Sequence, residues 1–169
     1  MKYLIIFIFL LSNSFANEVP DIKNIIISKE VKNYDSLTFL DAKNNKIKLE
    51  DHYGNLVLLN FWATWCGPCK DEMPSLDFLQ AHKDLDNLKI FPINIGKDSI
   101  KKSQDFYKEL NIKNLGLYFD SPNTLAKKFS LRGIPTSVLF NKDGKEFARI
   151  VGSIDFKDKR FIEWLSFYN

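Results

Sequence analysis

Two cysteines separated by two residues carry the clearest chemistry in this sequence. Cys66 and Cys69 follow an apolar run that predicts a buried strand, and they precede a segment that predicts a helix. At a helix N-terminus, unpaired backbone N–H groups and the positive end of the helix dipole favour a thiolate over a thiol. We therefore expect Cys66 to attack disulfides. Cys69, one helical turn later, is expected to be more buried and to resolve the resulting mixed disulfide.

The two residues between the cysteines form the predicted active-site turn. Pro68 fixes φ near −65° and lacks an N–H that the first helical turn would leave unused, so it stiffens the turn at little cost. Gly67 leaves room for a close approach from outside. Both residues are expected to shape the site rather than to react.

Length and composition limit what else the cysteines could do. The chain has 169 residues, 45% of them hydrophobic and 27% charged, which describes one compact domain. A domain of this size buries enough surface to fold without disulfide staples, and two cysteines alone cannot complete a four-ligand zinc site. The net charge is +3, and arginine occurs only at positions 132, 149 and 160. Scarce arginine argues against a nucleic-acid partner.

The N-terminus has the layout of a secretory signal peptide over residues 1–16. Lys2 precedes an apolar stretch at residues 4–11, and small residues stand where a signal peptidase would cut after Ala16. The stretch is far shorter than the roughly 20 residues that span a bilayer. Cleavage is favoured, with an uncleaved anchor that would attach the protein to the membrane as the alternative. We expect a periplasmic or other extracytoplasmic location, where disulfides form readily.

The rest of the chain predicts a mixed central sheet with helices on both faces, an α/β architecture. Residues 17–36 are expected to be an N-terminal arm, either an approach arm or an edge strand, and residues 37–169 the main domain. Asn44-Asn45 predicts a hairpin, Asp143-Gly144 predicts a second one, and Pro74 is expected to kink the first helix. The predicted strands cover 37–40, 47–49, 56–62, 88–95, 117–119, 137–140 and 146–151, and the predicted helices cover 66–82, 99–110, 121–129 (opened by Ser121-Pro122) and the segment from Asp155 onward.

Four local motifs resemble the thioredoxin-fold oxidoreductases of the TlpA/ResA/DsbE-like family, and the resemblance extends over about residues 37–167. They are Asn-Phe-Trp-Ala-Thr-Trp at 60–65, Cys-Gly-Pro-Cys at 66–69, Glu-Met-Pro at 72–74 and Gly-Ile-Pro-Thr at 133–136. The resemblance implies a thioredoxin-like fold with an N-terminal β-hairpin and an extra strand–helix insert between residues 90 and 110.

The resemblance also implies how a substrate is held. Pro135 is expected to be cis and to lie across from the active-site helix, with Ile134 offering its backbone to an extended substrate segment. Trp65 is expected to be exposed and to touch the partner. Trp62 is expected to belong to the core.

Glu72 is the third catalytic candidate. Thioredoxins carry a buried proton-relaying Asp where this chain has Asn60, which cannot titrate. In the resembling family, a Glu three residues after the second cysteine lies close beneath the pair, and Glu72 falls on that position. It could accept the proton of Cys69 as that thiol attacks. The alternative is an acid in the first turn that only stabilises the helix dipole.

These features predict a thiol–disulfide oxidoreductase, with reduction of protein disulfides favoured over an oxidase or isomerase. The resemblance implies that a transmembrane electron-donating reductase re-reduces the cysteine pair. It also points to apocytochrome c as a client. We expect a monomer that needs no cofactor, metal or nucleic acid. A metal-binding module built from Cys66, Cys69 and His82 is one alternative. A peroxidase is another, but Ala63 stands where its site needs a threonine and Thr64 is one position off.

Overall fold

The computed structural model describes residues 20–120 and 124–169, which form an eight-stranded sheet and four α-helices. The predicted signal peptide and the predicted Ser121-Pro122 helix start lie outside the described residues. The strands are β1 (Ile25–Lys32), β2 (Thr38–Asp41), β3 (Lys46–Lys48), β4 (Leu56–Trp62), β5 (Leu88–Asn94), β6 (Tyr118–Phe119), β7 (Thr136–Phe140) and β8 (Glu146–Val151), and the helices are α1 (Gly67–Gln80), α2 (Ile100–Glu109), α3 (Thr124–Lys128) and α4 (Lys159–Ser166).

The strand order across the sheet is β1-β8-β7-β4-β5-β6-β2-β3. Strands β4, β5 and β6 run parallel, and every other neighbouring pair runs antiparallel. The predicted mixed sheet flanked by helices is therefore confirmed. Strand β4 lies at its centre and is buried along its whole length, as its unbroken apolar run requires. Strand β1 forms one edge, so residues 25–32 are an edge strand.

Two apolar cores lie on opposite faces of the sheet. On one face, helices α1, α2 and α4 contribute Met73, Phe106 and Phe161, among others. On the other face, Leu125 of α3 packs with apolar side chains of the sheet, among them Phe39 of β2. Trp62, predicted as a core residue, is fully buried on the first face, and its ring stacks on Phe106 at a centroid distance of 4.9 Å.

The last helix begins later than the sequence predicts. Asp158, rather than Asp155, caps it by accepting a 2.9 Å hydrogen bond from the backbone N–H of Arg160. The turn before α4 is bound to α1 instead, because buried Phe156 donates its backbone N–H to Ser75 Oγ on α1 at 3.0 Å. Packing of Phe156 thus delays the helix start.

Within residues 20–120 and 124–169, no helix has the length and apolar character needed to cross a bilayer.

Candidate active site

The two cysteines lie where β4 ends and α1 begins, and a disulfide joins them. Cys66 is the N-cap of α1 in extended conformation, and the backbone N–H of Cys69 donates to its sulfur at 3.2 Å. Pro68 stands in the first turn, where its missing N–H is not needed. Cys66 is 6% exposed and Cys69 is fully buried. A partner can therefore reach Cys66 first.

The loop between α3 and β7 brings a second backbone segment to Cys66. The Ile134–Pro135 peptide bond is cis. The carbonyl oxygen of Ile134 lies 3.7 Å from Cys66 Sγ. The loop is held by two hydrogen bonds, from Thr136 Oγ1 to the carbonyl of Gly133 and from the N–H of Gly152 to the carbonyl of Pro135, both 2.9 Å long. Ile134 thus lies beside the reactive sulfur in a fixed loop.

The outer surface of the site is open and partly aromatic. Trp65, the residue directly before Cys66, is 65% exposed. A Cβ atom built on Gly67 would meet nothing within 4 Å, so the turn faces free space. Trp65 and Gly67 therefore leave the outer side of the turn open to solvent.

Glu72 and Asn60 meet in the buried layer of the site. Glu72 lies on α1 three residues after Cys69, and residues three apart share a helix face. Asn60 Nδ2 donates to Glu72 Oε1 at 2.8 Å and to Ser137 Oγ at 3.0 Å. Burial raises the pKa of Glu72 to about 7, although the hydrogen bond from Asn60 and the backbone N–H of Ile154 act in the opposite direction. A carboxyl with a pKa near neutrality can exchange a proton at physiological pH.

Asp98 anchors the segment that leads into Cys66, a role that the sequence did not predict. Its carboxylate accepts from the Thr64 N–H at 2.9 Å and the Thr64 hydroxyl at 2.8 Å. Asn94 Nδ2 at 3.0 Å and the Lys102 ammonium at 2.7 Å complete its partners. Burial alone would raise the pKa of Asp98, but these hydrogen bonds, led by that of Lys102, outweigh it and lower the pKa to about 2. A sequence signal existed: Asn94 ends a buried strand and Asp98 follows it, at the edge of the sheet where site residues gather.

Gly96 lets the loop after β5 approach the active-site loop closely. A Cβ atom at this position would lie 2.6 Å from Ala63 Cβ and 2.9 Å from Trp65 Nε1. Such distances are shorter than van der Waals contact, so a larger residue would push the two loops apart. Gly96 and Asp98 together fix the segment that leads into Cys66.

The residues of the metal alternative do not come together. His82 follows the C-terminal end of α1, roughly 20 Å along the helix from the cysteines at 1.5 Å per residue. Among residues 20–120 and 124–169, no cluster of three or more His, Cys, Asp or Glu side chains could hold a metal ion. Ala63, at the position where a peroxidase site needs threonine, is fully buried.

A profile of the AhpC/TSA family matches residues 26–145. The chain belongs to this family. The match spans β1 to the β7–β8 turn and includes both cysteines and the Ile134–Pro135 loop. This assignment agrees with the thioredoxin-like fold built around the cysteine pair.

A curated relative of this chain is the thiol-disulfide oxidoreductase ResA of a Bacillus cereus strain. It is 32% identical over 132 residues, which are 78% of this chain and 73% of that protein. In fold, the chain is similar to StoA from Bacillus subtilis, with a TM-score of 0.65 at 24% identity over 78% of this chain and 96% of that one. It is also similar to a DsbF homologue from Corynebacterium diphtheriae, with a TM-score of 0.69 at 22% identity over 88% and 95% of the two chains. The predicted enzyme class is confirmed: this AhpC/TSA protein is a thiol–disulfide oxidoreductase of the ResA type.

Proposed function

We propose that this protein reduces protein disulfides outside the cytoplasm. The Cys66 thiolate attacks a substrate disulfide, and one substrate thiolate leaves as the mixed disulfide forms. Cys69 then attacks Cys66 Sγ, and the second substrate thiolate leaves. The substrate gains two electrons, and the enzyme ends with the Cys66–Cys69 bond seen in the structure.

The observation that carries the proposal is the buried carboxyl of Glu72 on the helix face of Cys69. Cys69 must lose its proton as it attacks, and because it is fully buried it needs an acceptor inside the protein. Glu72, with a pKa raised to about 7, is half deprotonated near neutral pH and can take that proton. Asn60 donates to the carboxylate and so supports its charged form.

The turn between the cysteines supports reduction as the direction of electron flow. A Gly-Pro pair there, here Gly67-Pro68, is the one found in reducing thioredoxins, whose potential is about −270 mV against about −120 mV for a strong oxidant. The reduced protein therefore donates electrons to disulfides whose potentials are less negative than its own.

Location, electron supply and client are further parts of the proposal. Lys2 and the apolar residues 4–11 support export, with cleavage after Ala16 or attachment to the membrane through an uncleaved segment. A reductant there cannot draw on cytosolic reductases, so we propose that a transmembrane reductase re-reduces the cysteine pair.

The first client to test is apocytochrome c, on the resemblance alone, because its haem-attaching cysteines must be reduced before ligation. We propose that the protein acts as a monomer.

Trapping of the mixed disulfide tests this function. With Cys69→Ser, the substrate stays bonded to Cys66, because no resolving thiol remains. Cells of the native host expressing this variant should yield covalent adducts that a reducing agent releases and mass spectrometry identifies. Cys66→Ser is the matched control and should yield none. Adducts that form equally well through Cys69 would contradict the proposed order of attack.

A further inference from the structure

A groove of about 580 Å³ lies beside the Ile134–Pro135 loop, where β1, β8 and β7 meet α3. Ile26 pairs with Arg149 across β1 and β8, and Val151 is two residues further along β8. Since side chains alternate along a strand, these three residues share one face of the sheet. They form the floor of the groove.

The groove is lined by basic side chains. Lys32, Lys128, Arg132 and Arg149 line it, and no acidic side chain among the described residues does. Arg149 is neutralised, because its Nε donates at 2.7 Å to the fully buried carboxylate of Glu146. The other three basic residues determine the charge of the groove.

These three side chains have no acidic partner within the part of the chain that the structure describes. Lys32 and Arg132 are exposed and form no ion pair there. Lys128 donates only to the backbone carbonyls of Asp35 and Ser36. Three positive charges therefore surround the groove and face solvent.

The floor of the groove also offers apolar contact. Ile26 is 56% exposed and Val151 is 46% exposed, although both are strand residues next to a core. Apolar side chains beside unpaired positive charges form a surface for a segment that carries both apolar and acidic residues.

The position of the groove ties it to the reacting sulfur. Arg132 lies two residues before Ile134 and Thr136 lies two residues after it, and both line the groove. The carbonyl of Ile134 lies 3.7 Å from Cys66 Sγ. A substrate strand paired with the backbone of Ile134 would need only two or three further residues, about 7–10 Å at 3.3 Å per residue, to enter the groove.

We propose that this surface, the basic groove (lined by Ile26, Lys32, Lys128, Arg132, Arg149 and Val151), binds an acidic segment flanking the disulfide of the protein substrate. The inference rests on the proposed function and adds a substrate class to it. Opposite charge speeds the encounter and aligns the chain before Cys66 attacks. Substrates with acidic residues near their disulfide are preferred.

Two model peptides test this preference. Both contain the same single disulfide and a valine; one carries three glutamates on each side of the cysteines, and the other carries lysines at the same positions. The reduced full chain should reduce the acidic peptide roughly tenfold faster at low ionic strength. High salt should shrink this difference, because it screens exposed charges. Reduction of 2-hydroxyethyl disulfide, which is small and neutral, reports the chemistry alone.

Charge reversal assigns the preference to the groove. Lys32→Glu combined with Arg132→Glu should abolish or invert the ratio of the two peptide rates. The matched control is Lys83→Glu combined with Lys113→Glu, which makes the same charge change at exposed positions that do not line the groove. The control should leave the ratio unchanged, and circular dichroism should show both variants folded.

The outcomes separate the groove from the function. If all three disulfides are reduced and the two peptide rates are equal, the proposed role of the groove is overturned and the proposed function stays intact. An equal loss of preference in the control variant would also overturn the groove, because it would show an effect of total charge. Failure to reduce any disulfide, the neutral one included, would overturn the proposed function itself.

Discussion

Asn60 donates a 2.8 Å hydrogen bond to the carboxylate of Glu72 in a part of the core that solvent does not reach. Asn60 comes from β4, which leads into the cysteines, and Glu72 comes from α1, which follows them. Within the described residues, Asn60 Oδ1 has no hydrogen-bond partner. The amide group thus holds Glu72 on α1 and Ser137 on β7 at the same time.

We predict that Glu72→Gln removes a pH-dependent loss of stability. Because burial raises the pKa of Glu72 to about 7, the folded protein binds this proton more tightly than the unfolded chain, whose reference pKa is 4.5. The wild-type free energy of unfolding should therefore fall as pH rises from about 4.5 through 7, by roughly 3 kcal/mol from this group. In the variant, this fall should be absent. Denaturant unfolding of the oxidised protein at several pH values measures both.

Glu163→Gln is the control for that experiment. Glu163 is an exposed residue of α4 paired with Lys159, so its substitution should change stability by well under 1 kcal/mol at any pH. If wild type and Glu72→Gln show parallel stability curves across this range, Glu72 is not a buried acid with a raised pKa.

The same substitution should separate the two chemical steps. We predict that Glu72→Gln slows the release of product by Cys69 roughly ten- to a hundredfold near neutral pH, because the amide cannot accept the Cys69 proton. It should also remove the rise of this rate with pH around 7. Stopped-flow measurement of single turnovers gives the rate. The initial attack by Cys66, measured in a Cys69→Ser background, should change little. An unchanged pH profile for product release would leave Glu72 only a structural role.

Asp98→Asn should destabilise the segment that leads into Cys66. The amide presents a donor where Asp98 accepts from Thr64, and it loses the charge that pairs with Lys102. We predict a loss of about 1–3 kcal/mol at pH 7. Because the pKa of Asp98 is lowered to about 2, wild type should lose this contribution as pH falls from about 4 through 2, whereas the variant has none to lose.

Asp105→Asn is the matched control, since Asp105 forms an exposed ion pair with Lys101 on the same helix. It should cost about 0.5 kcal/mol or less. Equal midpoints of chemical unfolding for the two variants at pH 7 would contradict the anchoring role of Asp98.

The sheet and the cysteine pair were predictable because local patterns determine them. The apolar run of β4 is typical of a buried strand, and Gly67 and Pro68 carry the signals of a helix start. The family resemblance pointed to Glu72, and the three-residue spacing from Cys69 agrees with a position on the same helix face. These features depend on neighbours close in sequence.

Contacts between distant segments were not predictable. Asp98 was not predicted as a site residue, because nothing in its own segment identifies Thr64 as its partner. The basic groove likewise joins Lys32 to Arg132, which the pairing of β1 with β8 and of β8 with β7 brings together. The late start of α4 depends on Phe156 packing near Ser75. In each case, tertiary contacts decide between options that the local sequence leaves equal.

The equilibrium reduction potential of the Cys66–Cys69 pair tests the reductant assignment most directly. The oxidised protein is equilibrated with defined ratios of reduced to oxidised dithiothreitol or glutathione, and the dithiol fraction is measured by alkylation and mass. We predict a potential near that of reducing thioredoxins, about −270 mV. A potential near −120 mV, that of a strong oxidant, would contradict the account and make the protein a disulfide donor.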